Sequence, residues 1–236
     1  MKAPPRGLLR SVIRRLRIGI PMAFSVLRRR LGQHQLVVGV TGSAGKSTVT
    51  RLAARILAPD GRTHTGVGPN TVNGIHRTYL SAPAFSRYWV QEISGHEPGT
   101  VAASAGFVQP DVGVLTMIGD DHVKMFDSPG ALAAGKGDLL AALNPEGIAV
   151  VNADDPAVMA QAHRAPGRVI SYGTTATADL RIISVEAGLP GPLRLKLAYN
   201  QDEATVEANF PAARWAPQFA AAAAVGLAAG LPLELV

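Results

Sequence analysis

Residues 37–57 read VVGVTGSAGKSTVTRLAARIL: an apolar run, a Gly-rich loop with one Lys, then a helical pattern. Few folds accommodate that order. Leu36 to Val40 lacks the alternation of a half-exposed strand, which predicts a strand covered on both faces, as in a parallel sheet. Thr48 to Leu57 has the spacing of a helix. Between them, Gly42 and Gly45 allow a tight turn through Ser43 and Ala44. Backbone N–H groups of such a loop converge on phosphate oxygens, and the following helix N-terminus adds a favourable dipole. Lys46 would reach the β- and γ-phosphates, and the Ser47 hydroxyl would sit on Mg²⁺. The general phosphate-loop pattern has Gly at position 40, where this chain has Val40, so the match is to a shorter form, Gly-x-x-Gly-Lys-Ser-Thr. The competing reading is a plain strand–helix turn with a surface Lys.

Elsewhere, strand and helix alternate. Tyr88 to Ile93, Val112 to Ile118 and Ile148 to Asn152 read as strands, and Pro129 to Leu143 as a helix. The expected class is α/β: a P-loop NTPase-like, mainly parallel sheet flanked by helices. After Tyr172 the texture changes. DLRIISVEA, LRLKLAY and EATVEANF alternate apolar and polar residues, which predicts a small, half-exposed antiparallel subsheet. Gln218 to Gly230 is an Ala-rich helical stretch.

Charge divides the chain unevenly. Residues 1–59 hold twelve Lys or Arg and no acid, whereas residues 60–236 hold all seventeen acids. The body is therefore not a basic nucleic-acid binder. Within the head, Leu9, Val12, Ile13 and Leu16 recur at helical spacing between arginines. Its longest uncharged run, Ile18 to Leu27, is ten residues, too short to span a bilayer. Residues 1–35 thus form a basic amphipathic segment before the domain at 36–236. Three readings of it stay open: a helix packed on the body, a helix on an anionic membrane surface through residues 1–31, or a tail. The chain has no Cys, which fits a reducing cytosol and excludes thiolate chemistry.

A phosphate loop names a ligand class, not a reaction. Glu92, His122 and Lys136 lie at or after strand ends, where ligands collect in open α/β sheets. A carboxylate and an imidazole can both ligate a metal beside a nucleotide. Singly, each is explained as well by a strand-end acid, a loop His and a solvated Lys.

Together with the loop, these residues resemble the central ATP-binding domain of the Mur ligases, from about Leu36 to the end of the chain. TGSAGKST resembles the family's phosphate loop and GPNTVNGI its Asn-containing segment. EISGHEPG resembles the segment with the magnesium-binding Glu. IGDDHVKMFDSPGALAAGKGDL resembles that with the magnesium-binding His and the carbamylated Lys, and VNADDP the nucleotide-contacting strand end. The resemblance implies an amide-forming ligase of cell-wall precursor synthesis, cytoplasmic or peripheral at the inner membrane face. ATP phosphorylates a carboxylate, and an amine then displaces phosphate. It implies Lys46, His122 and Lys136 as catalytic residues, Lys136 as a carbamate. Ser47, Thr48, Glu92 and His122 would hold two Mg²⁺ ions. Gly42 to Thr48, Asn152, Asp155, Arg214 and Gln218 would contact nucleotide, with Asn70 and Asn73 near the phosphates or the second metal. Three positions depart from the family pattern. Met117 stands for an Asn, and Arg214 and Gln218 stand for a His and an Asn. A C-terminal lobe, from a downstream domain or a partner, is also implied. Alternatives are a membrane-associated poly-γ-glutamate-type ligase, a non-catalytic ATP-binding module and a small-molecule kinase.

Overall fold

The computed structural model describes residues 23–24, 26–27, 36–68, 70–83, 85–121, 123–188, 191–210 and 212–236. The basic segment expected over residues 1–35 lies almost wholly outside the described residues, as does His122. Among the described residues, no helix is long and apolar enough to cross a membrane.

Nine strands form one sheet. They are β1 (Leu36–Thr41), β2 (Thr63–Gly66), β3 (Tyr88–Glu92), β4 (Val112–Leu115), β5 (Ile148–Asn152), β6 (Arg168–Gly173), β7 (Leu180–Glu186), β8 (Leu193–Tyr199) and β9 (Asp202–Ala208), in the spatial order β2-β3-β1-β4-β5-β6-β7-β8-β9. Pairing is parallel from β2 through β7 and antiparallel from β7 to β9. The antiparallel strands expected after Tyr172 are present. They are continuous with the main sheet because β7 pairs in parallel with β6 at Tyr172 and Gly173.

Helices cover both faces of the parallel part. They are α1 (Lys46–Leu57), α2 (Val72–Leu80), α3 (Thr100–Val108), α4 (Pro129–Ala141), α5 (Pro156–Met159) and α6 (Ala216–Ala228). Side chains alternate across each strand, so neighbours in β1 serve different layers. Val38 and Val40 join α1 and α6 in one core, while Val37 faces Ile75, Trp89, Val101 and Leu139 on the other side. Gly39 lets α4 approach, since a Cβ there would lie 3.0 Å from the Leu139 side chain.

Ala220 to Ala224 are all buried, and since five consecutive residues go right round a helix, their small side chains let α6 sit close to α1 and to the sheet at once. Two predicted strands are shorter than their apolar runs suggest. The strand at Val112 stops at Leu115, and the one at Tyr88 stops at Glu92. Past Leu115 the chain bonds to the loop after β1, where Ser43 N donates to Met117 O, whereas past Glu92 Ile93 N donates to Val40 O and Ser94 N to Asn70 O. The strand order reverses around β1, and that places its loop at the switch point of the sheet.

Close packing at α6 makes added volume costly. Ala222→Leu is expected to lower stability by about 1–3 kcal/mol, read as a lower urea midpoint with an unchanged m-value. A variant as stable as wild type would contradict this packing.

Candidate functional site

The loop after β1 is built on two glycines in left-handed backbone, Gly42 at φ 140° and Gly45 at φ 82°. At Gly42 a methyl group would also fall 2.1 Å from Thr116 Oγ1. The loop is laced to the chain leaving β4. Ser43 N donates to Met117 O at 2.8 Å, Thr116 Oγ1 to Ala44 O at 2.6 Å, and Gly119 N to Ser43 Oγ at 2.8 Å.

The N-terminus of α1 then points into a cleft with no side-chain cap and no acid in its first turn. Contrast α2, α4 and α5, which Thr71, Ser128 and Asp155 cap. Uncapped N–H groups and the positive end of the helix dipole make a site for an anion. Lys46 Nζ lies at the same mouth, donating to Gly42 O at 2.7 Å and Ser43 O at 3.4 Å.

The cleft, about 420 Å³, is lined by residues 43–48, Glu92, Arg214, Trp215 and Gln218. Glu92 is buried at the end of β3. It accepts from Ser47 Oγ and from Asn70 Nδ2, each at 2.8 Å. Mg²⁺ prefers an octahedron of oxygens about 2.0–2.1 Å away, whose neighbouring ligands sit about 2.9 Å apart. The Ser47–Glu92 oxygen pair matches that spacing. It would supply the one or two protein oxygens Mg²⁺ usually takes beside phosphate and water. Among the described residues there is no cluster of three or more acidic or imidazole side chains. Asn73, the second Asn of its segment, is exposed on the first turn of α2 and is not drawn to Glu92.

Lys136 is 1% exposed in α4, a burial that the sequence reading of a solvated helix Lys does not anticipate. Its Nζ lies 3.5 Å from Asp121 Oδ2 and close to Gly95 in the segment after β3. Burial pushes the Lys136 ammonium below the ordinary lysine range. Asp121 opposes that shift, and Lys46 adds to it.

A second cleft, about 450 Å³, adjoins the first and shares Ala44, Arg214 and Gln218 with it. Its apolar wall includes Val49, Met117, Ile118 and Pro217, and Asn152 and Asp155 line it. Asp155 caps α5 through Ala157 N and Val158 N and also accepts from Ile118 N at 2.8 Å. Its carboxylate thus braces the cleft wall. Asn152 Nδ2 donates to Thr116 O.

Residue by residue, the loop, Glu92, Asn70, Arg214 and Gln218 come together at the first cleft. Lys136 lies behind it, and Asn152 and Asp155 at the second. Thr116 and Asp121 are the participants that sequence reasoning passes over. A buried Lys calls for a nearby carboxylate, which is a signal for Asp121. Nothing local marks Thr116.

The family profile of the Mur ligase middle domain matches residues 40–226. The chain belongs to the Mur ligase family. It is 31% identical over 201 residues to the UDP-N-acetylmuramoyl-tripeptide–D-alanyl-D-alanine ligase of Mycobacterium bovis, which covers 85% of this chain and 39% of that protein. The fold superposes on MurF from Acinetobacter baumannii with a TM-score of 0.84 at 24% identity, covering 91% of this chain and 47% of that one. It superposes on MurF ligase from Thermotoga maritima in complex with ADP with a TM-score of 0.83 at 21% identity, covering 92% and 51%. The Mur ligase chain described here therefore spans well under half the length of its Mycobacterium bovis relative.

The strain at Gly42 is testable. Gly42→Ala is expected to cost about 1–3 kcal/mol in urea unfolding. Gly106→Ala, in α3 with open space at its Cβ, should instead stabilise by about 0.4–1 kcal/mol. Equal effects at the two sites would remove the case for a strained loop.

Proposed function

We propose that this chain is the nucleotide-binding domain, residues 36–236, of an ATP-dependent carboxylate–amine ligase in peptidoglycan precursor synthesis. By likeness to the curated relative, the acid is a UDP-N-acetylmuramoyl tripeptide and the amine is D-alanyl-D-alanine. The observation that carries this is the Ser47–Glu92 oxygen pair, 2.8 Å apart, beside Lys46 and an uncapped helix N-terminus.

In the first step a carboxylate oxygen of the acid attacks the γ-phosphorus and ADP leaves, giving an acyl phosphate. In the second, the amine attacks the acyl carbon and expels inorganic phosphate, which carries away the original carboxylate oxygen. The amine proton passes to solvent or a base. The phosphoryl group in flight is chiefly a charge to be positioned and neutralised. Lys46 and the first N–H groups of α1 bind its oxygens. Ser47 and Glu92, with Thr48 beside them, would hold Mg²⁺, which supplies further charge neutralisation when bound. His122 is assigned to a second Mg²⁺ on the sequence resemblance alone.

Lys136 is assigned as a carbamate. A neutral amine adds to CO₂ with loss of one proton, and a buried Lys with a lowered pKa presents that neutral amine at lower pH than a solvated one. The compartment proposed is the cytoplasm. The charge asymmetry of residues 1–59 favours contact of residues 1–31 with an anionic membrane face.

Calorimetry on this chain with Mg²⁺ and ATP tests the site. Binding is expected in wild type and its loss in Lys46→Ala; unchanged binding would remove Lys46 from the site. The chemistry is tested in the ligase with ¹⁸O-labelled acid, since an acyl phosphate transfers one ¹⁸O to phosphate. Phosphate without label would exclude that intermediate, and product only with glutamate as acceptor would favour a poly-γ-glutamate-type ligase.

For Lys136, ¹³C-bicarbonate should give a carbamate NMR signal in wild type that Lys136→Ala lacks. The signal should grow as pH rises and empties the ammonium form. Activity lost in Lys136→Ala should return in part with added short-chain carboxylate, and a variant of normal turnover would rule the carbamate out.

A further inference from the structure

The second cleft has an unusual polar wall. Thr116 Oγ1 donates to Ala44 O, and Tyr172 OH to Thr116 O. Asn152 donates to Thr116 O and accepts from Asp154 N. Asp154 accepts from Thr174 N and Thr175 N, and Asp155 from three main-chain N–H groups. Gln218 completes the pattern. With its amide oriented to suit its neighbours, its nitrogen donates to Arg214 O at 3.2 Å and Trp215 O at 3.1 Å. Each of these side chains already serves the protein's own main chain, which leaves less of their hydrogen-bonding capacity to read a base.

Arg214 is the exception. It is exposed and forms no hydrogen bond or ion pair through its side chain with any described residue. Its guanidinium lies 5.7 Å from the Trp215 ring centroid. It lines both clefts, so it stands where the phosphate-binding mouth opens into the apolar one.

We propose that Arg214 is a phosphate-reading cation at the junction of the two clefts, which engages the α-phosphate of a bound nucleotide, so that this site selects by phosphate charge more than by base. The inference rests on reading the first cleft as a nucleotide site. The loop and Lys46 take the β- and γ-phosphates, and the next anionic group toward the second cleft falls to Arg214. A guanidinium presents two parallel donors to a phosphate, which an ammonium cannot. The base enters a pocket of Val49, Met117, Ile118 and Pro217, where apolar contact favours any planar ring. Gln218 is a positioning residue. It ties down the carbonyls of residues 214 and 215 and packs against Gly45, whose Cβ would sit 3.0 Å from its amide.

The test is calorimetry with Mg²⁺ on the full chain as wild type, Arg214→Ala, Arg214→Lys and Lys46→Ala, titrated with ATP, GTP and ADP. Wild type is expected to bind ATP and GTP within about tenfold of each other. Arg214→Ala should weaken all three ligands by a similar factor, roughly ten- to a hundredfold, with a shallower salt dependence. Arg214→Lys should recover only part. Because Arg214 is exposed and its side chain forms no hydrogen bond or ion pair with any described residue, its variants should stay close to the wild-type unfolding midpoint.

Unchanged ATP affinity in Arg214→Ala, with binding lost in Lys46→Ala, would overturn the proposal and leave the nucleotide site standing. A wild-type preference for ATP over GTP above a hundredfold would overturn it as well. If wild type bound none of the three, the nucleotide reading would fall with it.

Discussion

The site depends on a short set of hydrogen bonds between the loop after β1 and the chain leaving β4. Ser43 N reaches Met117 O, and Thr116 Oγ1 reaches Ala44 O. The carbonyl of Thr116 in turn accepts from Asn152 and from Tyr172. One residue thus joins the ends of β1, β4, β5 and β6. Unpaired backbone groups at buried strand ends are costly, so the loop and the strand ends satisfy one another. Ala44, whose carbonyl Thr116 holds, lines both clefts, and Thr116, Asn152 and Tyr172 line the second.

Charge explains why the site is built for an anionic ligand. Lys46 and Arg214 line the first cleft at the carboxyl ends of the central strands, and the first turn of α1 adds its dipole without a compensating acid. The acids at hand already accept hydrogen bonds or pair with a cation. Asp155 caps a helix, and Glu92 accepts from Ser47 and Asn70. Asp121 lies near Lys136. The ATP–Mg²⁺ complex we propose would suit that arrangement, with its phosphates at the cations and its metal at the Ser47–Glu92 oxygens.

Much of this is legible in the order of the amino acids. Buried parallel strands are continuous apolar runs, so β1, β4 and β5 announce themselves, and the alternation of DLRIISVEA or LRLKLAY marks half-exposed antiparallel strands. Harder to read are β2, whose THTG has no apolar run, and α3, whose TVAASAGFV is mostly small residues. Their structure comes from what packs on them. Asn70 is legible in its motif and, just before the Thr71 cap, reaches Glu92, whereas its twin Asn73 lies exposed in the first turn of α2.

By itself, the sequence determined the class of the sheet, the phosphate loop and the order of its motifs. Those rest on local rules: the period of apolar residues, the steric freedom of glycine, the pairing of Lys46 and Ser47 at a helix start. Tertiary structure alone decided that Lys136 is buried, that Thr116 is the hub of four strand ends, and that Arg214 stands exposed where two clefts meet. These are relations between segments tens of residues apart. Desolvation and hydrogen-bond satisfaction act on distance in space, which the chain acquires only when its sheet closes around β1.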